Sequence, residues 1–121
     1  MPAAVERLKR RTEFLRVAAG RQKAAAPGLV LQARATEADA DPSSAAPRIG
    51  FTASRKVGNA VARNRARRRL RAAVQAVIPL HAMPGFDYVI VARQATLKRS
   101  FPALLADLEG ALKRLGTWRA G

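Results

Sequence analysis

The chain of 121 residues contains no cysteine, a single histidine and few aromatic side chains, which make up 5% of it. The absence of cysteine excludes a disulfide framework and a cysteine-based zinc knuckle. No apolar run approaches the ~20 residues that a membrane-spanning helix needs. The first residues, MPAAVERLKRRTEF, lack the apolar core of a signal peptide, so we expect a cytoplasmic protein.

Acidic residues are scarce and unevenly placed. Eight Asp and Glu stand against 23 Lys and Arg, which gives a formal net charge of +15. No acid occurs from Pro42 to Phe86, whereas nine Lys or Arg lie from Arg48 to Arg71. Such a charge disfavours the compact state unless an anionic partner offsets it. We therefore expect a polyanionic partner, with nucleic acid ahead of an acidic membrane surface.

The apolar pattern predicts six elements in the order helix, strand, strand, helix, strand, helix. The first three are a short helix capped by Thr12 and ended by Gly20 and strands at 28–35 and 48–54. They are followed by a helix from Ala60 to about Ile78 with Asn59 as cap and Pro79 as stop, a strand at 86–93, and a helix at 100–116 with Ser100 as cap and Gly116 as stop. Hairpin pairing of the first two strands is the simplest arrangement. The elements predict an α+β sandwich with helices on a small mixed sheet.

The length favours one domain over residues 1–121. Residues 1–11 are basic, and we expect them to be frayed. Residues 36–47, TEADADPSSAAP, form an acidic, Pro-containing stretch that we expect to be a mobile loop. The central helix lies between two strands, so the general rule predicts a right-handed strand–helix–strand crossover.

The central helix carries six arginines between Arg63 and Arg71. At 100° per residue, one arc of the helix is apolar and comprises Ala62, Ala66, Leu70, Ala73, Val74 and Val77. The remaining circumference is basic, with Arg63 near the edge of the apolar arc, where it would reach along the sheet. A solvated surface usually carries both charge signs. The forked guanidinium of arginine engages phosphate oxygens in pairs, so this face is typical of phosphate binding.

A membrane-surface helix fits this segment less well. Such a helix presents large apolar side chains opposite its charges, whereas this one offers mainly Ala and Val. Small apolar residues suit close packing on a sheet. The lone His81 has no acid near it in sequence, which argues against a metal-binding or catalytic role. Trp118 near the C-terminus is expected to pack on the surface, Asp107 and Glu109 to be solvated, and Asp87 to make a structural hydrogen bond at the start of its strand.

The stretch RIGFTASRKVGNAVARNRARRRLRAAV, residues 48–74, resembles the signature of the protein subunit of bacterial ribonuclease P. The matching positions are Arg55, Lys56, Val57, Gly58, Asn59, Ala60, Val61, Arg63, Asn64, Arg67, Arg68 and Arg71. Weaker resemblance extends to RLKRRTEFLRV, FDYVIVAR and FPALLADLEGALKRL, which are similar to the first helix, last strand and final helix of that family.

The resemblance implies a non-catalytic protein subunit of an RNA-based endoribonuclease. In this family a catalytic RNA removes the 5′ leader of precursor tRNA, with Mg²⁺ ions held mainly by the RNA. The implied partners are therefore the catalytic RNA and the precursor tRNA, with no membrane and no small-molecule substrate. The family fold is ribosomal-protein-like, with a left-handed strand–helix–strand crossover, which replaces the right-handed one expected from the general rule.

The resemblance also implies the roles of particular residues. Those expected to contact the catalytic RNA, or its junction with the leader, are Ser54, Arg55, Lys56, Arg63, Asn64, Arg65, Arg67, Arg68 and Arg71. Those expected in a leader cleft are Phe14, Val30, Gln32 and Thr52. Gln32 stands where some members have an aromatic residue, and Ala18 replaces a second helix aromatic. Stacking on an aromatic ring stabilises a bound base by about 1–3 kcal/mol, so leader binding here would rest more on charge and hydrogen bonds.

Two other classes of protein share the basic helix. A structural RNA-binding protein of ribosomal type would need no leader-sized groove beside Phe14. A sequence-specific DNA-binding protein would present base-reading side chains to the major groove, and an arginine face holds phosphate without distinguishing bases.

Overall fold

The computed structural model describes residues 6–36 and 46–120. The elements in chain order are β1 Glu6–Arg7, α1 Arg11–Ala19, β2 Lys23–Ala25, β3 Leu29–Ala35, β4 Arg48–Thr52, α2 Ala60–His81, β5 Phe86–Ala92, a short 3₁₀ helix Gln94–Leu97 and α3 Phe101–Arg114. None of the helices in these two ranges is long and apolar enough to cross a membrane.

The strands form one mixed sheet in the order β1-β4-β5-β3-β2. β5 pairs in parallel with β4 and antiparallel with β3, so the predicted hairpin between β3 and β4 is wrong. The physical reason lies in β5, whose side chains are almost all apolar and suit burial on both faces of the sheet. β5 therefore takes the centre and separates β3 from β4, while α2 connects the parallel neighbours β4 and β5.

Helices cover both faces of the sheet. The larger core lies on one face, where α2 and α3 pack through apolar stripes comprising Ala66, Leu70, Ala73, Val74, Val77, Ile78, Leu104, Leu108 and Leu112. On the other face α1 packs through a small cluster of Leu8, Val17 and Val89, with Phe14 and Val91 partly buried beside it. The predicted α+β sandwich of helices on a mixed sheet is confirmed, in three layers.

The predicted helix caps are partly right. The Asn59 side chain accepts the Ala62 N–H at 2.9 Å, and the Ser100 hydroxyl accepts the Ala103 N–H at 3.2 Å. Thr12 is not the cap of α1, since the helix already begins at Arg11. The Glu13 carboxylate instead reaches back and accepts the N–H groups of Lys9 and Arg10, at 3.0 and 2.8 Å.

Pro79 does not end α2, which continues to His81. A proline inside a helix removes one N–H donor and crowds the preceding turn. In the last turn the loss is small because few intrahelical bonds follow, and the Ala82 N–H still donates to the Ile78 carbonyl at 3.1 Å.

The N-terminal segment is more ordered than predicted. The Glu6 N–H donates to the Pro47 carbonyl at 3.0 Å and the Leu8 N–H donates to the Ile49 carbonyl at 2.9 Å. The buried side chain of Leu8 fixes this edge strand, so residues 6–10 are not frayed. Residues 1–5, and residues 37–45 of the predicted acidic loop, lie outside the described residues.

Candidate nucleic-acid interface

The turn before α2 presents a polar, basic segment to solvent. The Val57 N–H donates to the Ser54 carbonyl at 3.0 Å and the Gly58 N–H donates to the Arg55 carbonyl at 3.2 Å. Val57 is buried and anchors the turn, while Ser54, Arg55 and Lys56 are exposed. Gly58 has a φ of +147°, which residues with a side chain rarely adopt, so a glycine is required there.

The six arginines of α2 divide into two groups. Arg65 and Arg68 are exposed, and Arg67 is half-buried and donates to the Asn64 side chain at 3.1 Å. These side chains form the outward basic face, which consists of Asn64, Arg65, Arg67 and Arg68 together with Ser54, Arg55 and Lys56 of the preceding turn.

The other arginines contact the protein itself. Arg69 donates to the carbonyls of Thr96 and Arg99, both at 2.5 Å, and so ties α2 to the segment before α3. Arg63 donates to the Gly58 carbonyl at 3.1 Å rather than reaching along the sheet as predicted. The Arg71 guanidinium lies 5.8 Å from the centre of the Phe51 ring. Arg63 and Arg71 therefore have protein contacts, and their predicted contacts with RNA stay a prediction.

A groove of about 550 Å³ lies between α1 and the end of β4. We call it the α1–β4 groove, and its lining comprises Arg11, Phe14, Leu15, Phe51, Thr52, Ala53, Ser54, Arg67 and Val91. Leu15 is 55% exposed, which leaves a large apolar side chain at the mouth of the groove. Arg67 and Ser54 belong both to the groove and to the basic face, so the two surfaces are continuous.

The sheet register decides which predicted cleft residues meet. Thr52, Val91 and Val30 are aligned side by side across β4, β5 and β3 on the face covered by α1. Gln32 is in the next row, beside Val89 and Gly50. Phe14 and Thr52 line the groove, whereas Val30 and Gln32 share the sheet face but lie beyond its lining.

Gly50 allows Phe14 to lie close to the sheet. A Cβ atom placed on Gly50 would overlap the Phe14 ring, so a side chain there would displace the ring. Gly50 in the strand sequence RIGFT therefore leaves space in β4 for the Phe14 ring of α1.

Beneath α1 lies a cluster of charged side chains around Asp87, which is fully buried. Arg48 donates to both Asp87 carboxylate oxygens at 2.8 Å, Arg16 is 3.4 Å from Asp87, and the Thr36 hydroxyl donates at 3.1 Å. Arg48 also pairs with Glu13 at 2.7 Å. An exposed ion pair contributes about 0–1 kcal/mol, whereas removing one partner of a buried pair costs about 3–5 kcal/mol. Because Asp87 of β5 pairs with Arg16 of α1, the cluster joins α1 to the sheet, and loss of the buried carboxylate would weaken that connection.

The cluster shifts the ionisation of its members. The hydrogen bond with Asp87 raises the pKa of the Arg48 guanidinium above its ordinary value. Hydrogen bonds from the backbone N–H groups of Arg10 and Lys9 lower the pKa of the Glu13 carboxyl below its ordinary value of 4.5, and the charge of Arg48 lowers it further. Both shifts favour the charged forms that hold α1 in place.

Several lining residues were not predicted from the sequence. Arg11 precedes Phe14 by one helical turn, so its spacing could have placed it on the same face. Phe51, Ala53 and Val91 carry no comparable signal, because only the strand order brings them to the groove.

His81, Trp118 and Asp107 do not line the groove. His81 and Trp118 stack with ring centroids 4.2 Å apart, which confirms that Trp118 packs on the surface. Asp107 is not solvated, since it is only 8% exposed and pairs with Arg99 at 2.9 Å. In the two described ranges no three His, Cys, Asp or Glu residues are grouped so that they could hold a metal ion.

The fold and the site together define a class of protein, a basic three-layer α+β protein whose arginine helix borders an open groove. A similar fold occurs in the solved structure of the ribonuclease P protein of Staphylococcus aureus, with a TM-score of 0.73 and 24% sequence identity over 93% of this chain and 97% of that one.

Sequence comparison gives the family. The model of the family described as Ribonuclease P matches residues 2–116. The ribonuclease P protein component of Paramagnetospirillum magneticum is 57% identical over 116 residues, which cover 96% of this chain and 86% of that protein. The corresponding protein of Gluconacetobacter diazotrophicus is 50% identical over 110 residues, or 91% of this chain and 90% of that one. The chain belongs to the ribonuclease P protein family.

The lowered pKa of Glu13 predicts a specific acid sensitivity. A carboxyl with a lowered folded-state pKa stabilises the fold above its unfolded value of 4.5, and that contribution is lost as pH falls through the lowered value. We expect Glu13→Gln to lower the free energy of unfolding by about 1 kcal/mol at pH 7, since its hydrogen bonds are charge-assisted but partly exposed. Urea unfolding between pH 7 and pH 3 measures this difference, which should shrink below pH 4.5. A difference that stays constant over this range would contradict the assignment.

Proposed function

We propose that this protein is the RNA-binding, non-catalytic subunit of a ribonuclease P ribonucleoprotein. It binds the catalytic RNA through the basic face and the 5′ leader of precursor tRNA through the α1–β4 groove. The observation that carries this proposal is the continuity of the two surfaces, which share Ser54 and Arg67. A leader leaving the junction between catalytic RNA and tRNA could pass from one surface to the other without a gap.

Charge supports binding of the catalytic RNA at the basic face. Arg65 and Arg68 are exposed on a rigid helix, and Arg55 and Lys56 extend the positive charge into the preceding turn. Since no acid occurs between Pro42 and Phe86, nothing in this part of the sequence offsets that charge. Several fixed guanidinium groups on one side of a helix can follow a phosphate backbone. Asn64 adds an amide that can hydrogen-bond a base edge or a 2′-hydroxyl.

The chemistry of the α1–β4 groove suits a short single strand. The Phe14 ring and the exposed Leu15 offer apolar surface for a base, while Arg11 and Arg67 offer charge for the phosphates. Stacking of a base on an aromatic ring depends little on the identity of the base. The groove would therefore accept leaders of differing sequence. Val30 and Gln32 would contact the leader only if its RNA continues beyond the groove and across the sheet.

In this proposal the cleavage itself depends on Mg²⁺ held mainly by the RNA. A face with this density of positive charge repels cations, so it would contribute by holding RNA rather than metal. The protein would lower the Mg²⁺ requirement by screening phosphate repulsion where leader and catalytic RNA approach each other.

Reconstitution tests the proposal directly. A bacterial ribonuclease P RNA, this protein and a precursor tRNA would be combined at low Mg²⁺, with each component omitted in turn. We expect removal of the 5′ leader only when the RNA and the protein are both present. Failure of the RNA to respond, with a folded protein that still binds RNA, would favour a structural RNA-binding role without nuclease partnership.

The basic face predicts a change in the salt dependence of assembly. Replacing Arg67 and Arg68 by Gln removes two phosphate-binding charges, so the slope of log affinity against log salt should become shallower by about 2. The matched control replaces Lys113 and Arg114 by Gln, which removes the same charge from the end of α3. Filter binding to the catalytic RNA at several salt concentrations gives both slopes. Equal slopes for the two double variants would exclude the basic face as the docking surface.

The groove predicts a leader-specific effect of Phe14. We expect Phe14→Ala to weaken binding of precursor tRNA to the holoenzyme by about 1–3 kcal/mol, the contribution of one stacked base. Binding of mature tRNA should not change, because it has no leader. Phe101→Ala is the matched control, since Phe101 is an exposed phenylalanine of α3 that does not line the groove. An equal loss for precursor and mature tRNA would show that Phe14 does not act through the leader.

A further inference from the structure

The Asp87 cluster gathers groups from three elements and from the residue that follows β3, at one end of the sheet. Asp87 comes from β5, Arg48 from β4, and Glu13 and Arg16 from α1. Thr36 adds a hydroxyl from the residue that follows β3. The basic face and the α1–β4 groove account for none of these groups, although the Asp87 carboxylate is fully buried among them.

The cluster acts on α1 rather than on the helices of the opposite face. Arg16 donates to the Ala35 carbonyl at 2.5 Å, and Arg34 donates to the Arg16 carbonyl at 2.8 Å. The apolar contacts of α1 are few in comparison, since Val17 is its one fully buried side chain among the described residues. The polar contacts therefore determine where α1 lies above the sheet.

Phe14 lies between the two anchor points on α1. Glu13 immediately precedes it and pairs with Arg48, while Arg16 follows two residues later and pairs with Asp87. The position of the aromatic ring relative to Thr52 and Val91 consequently depends on both ion pairs. A shift of α1 would move Phe14 and so change the width of the groove, although no residue that lines the groove has been substituted.

We infer that Asp87 is a positioning residue for leader recognition, because through Arg48 and Arg16 it sets the distance between α1 and β4 and hence the width of the groove at Phe14. The inference rests on the proposed binding of the leader in this groove. Loss of the Asp87 charge would remove the buried carboxylate that pairs with both Arg48 of β4 and Arg16 of α1, so α1 would move away from the sheet.

The chain contains a matched control for this effect. Asp107 on α3 is also a buried carboxylate in a two-bond pair with an arginine, since Arg99 donates to its two oxygens at 3.0 and 2.9 Å. Asp107 also accepts the Gly28 N–H at 3.0 Å, so it too joins separate parts of the chain. It lies on the opposite face of the sheet from α1 and neither lines nor adjoins the groove.

Asp87→Asn and Asp107→Asn would therefore be compared in the reconstituted holoenzyme. We expect Asp87→Asn to weaken precursor tRNA binding on the order of tenfold, as expected for partial loss of one stacked base. Affinity for mature tRNA and for the catalytic RNA should remain unchanged. Asp107→Asn should lower thermal stability without changing the preference for precursor over mature tRNA.

A distance measurement separates positioning from general stability. Because the chain has no cysteine, spin labels can be attached to single cysteines introduced at Ala18 on α1 and Gln75 on α2, both exposed and outside the groove. We expect Asp87→Asn to lengthen or broaden the distance distribution and Asp107→Asn to leave it unchanged. If Asp87→Asn does not fold, Arg48→Lys would be used in its place, because it keeps the charge but loses the two-bond geometry. It should show the same changes with a smaller amplitude.

The outcomes distinguish this inference from the proposed function. A wild-type holoenzyme without preference for precursor over mature tRNA would overturn both. A wild-type preference that persists in Asp87→Asn, or that falls equally in Asp107→Asn, would overturn the positioning role alone. An unchanged distance distribution in Asp87→Asn would also overturn it.

Discussion

The central position of β5 is the constraint on which the rest of the structure depends. Its apolar side chains require cover on both faces, so α1 lies on one face of the sheet and α2 with α3 on the other. The same requirement separates β3 from β4, which exposes the end of β4 to α1 and creates the groove. Asp87, the one charged residue of β5, lies near its start and pairs with Arg48 of the neighbouring strand β4.

Positive charge is sorted by this architecture into structural and outward-facing groups. Arg48, Arg69 and Arg99 donate hydrogen bonds to carboxylates and carbonyl groups of the protein. They therefore satisfy buried polar atoms and connect elements of the fold. The basic face keeps guanidinium groups directed to solvent on a helix whose apolar stripe is fully packed. Only part of the net charge of +15 is therefore available to a polyanion, because the remaining positive groups bind to other parts of the protein.

The sequence predicted the three helices, the caps at Asn59 and Ser100 and the apolar stripe of α2, because these features depend on local spacing. It did not predict β1 and β2, which are two and three residues long and exist through pairing with distant strands. The local sequence pattern did not predict a groove. Only the family resemblance did, by placing Phe14 and Thr52 in a leader cleft. Arg11, Phe51 and Val91 could be assigned to the groove only from the strand order. The structural hydrogen bond predicted for Asp87 is confirmed, but its partners Arg48 and Arg16 could not be named from the sequence. The sequence pattern therefore predicted features that depend on local propensity but not those that depend on pairing between distant strands.

The most direct test of the account is the path of the leader in a complex of this protein, the catalytic RNA and a precursor tRNA. Electron cryomicroscopy of that complex would locate the leader relative to the two surfaces. The account predicts that arginines of the basic face contact catalytic-RNA phosphates and that the leader enters the α1–β4 groove with a base against Phe14. A leader that runs along α3 or the β2 edge, with the groove empty, would contradict it.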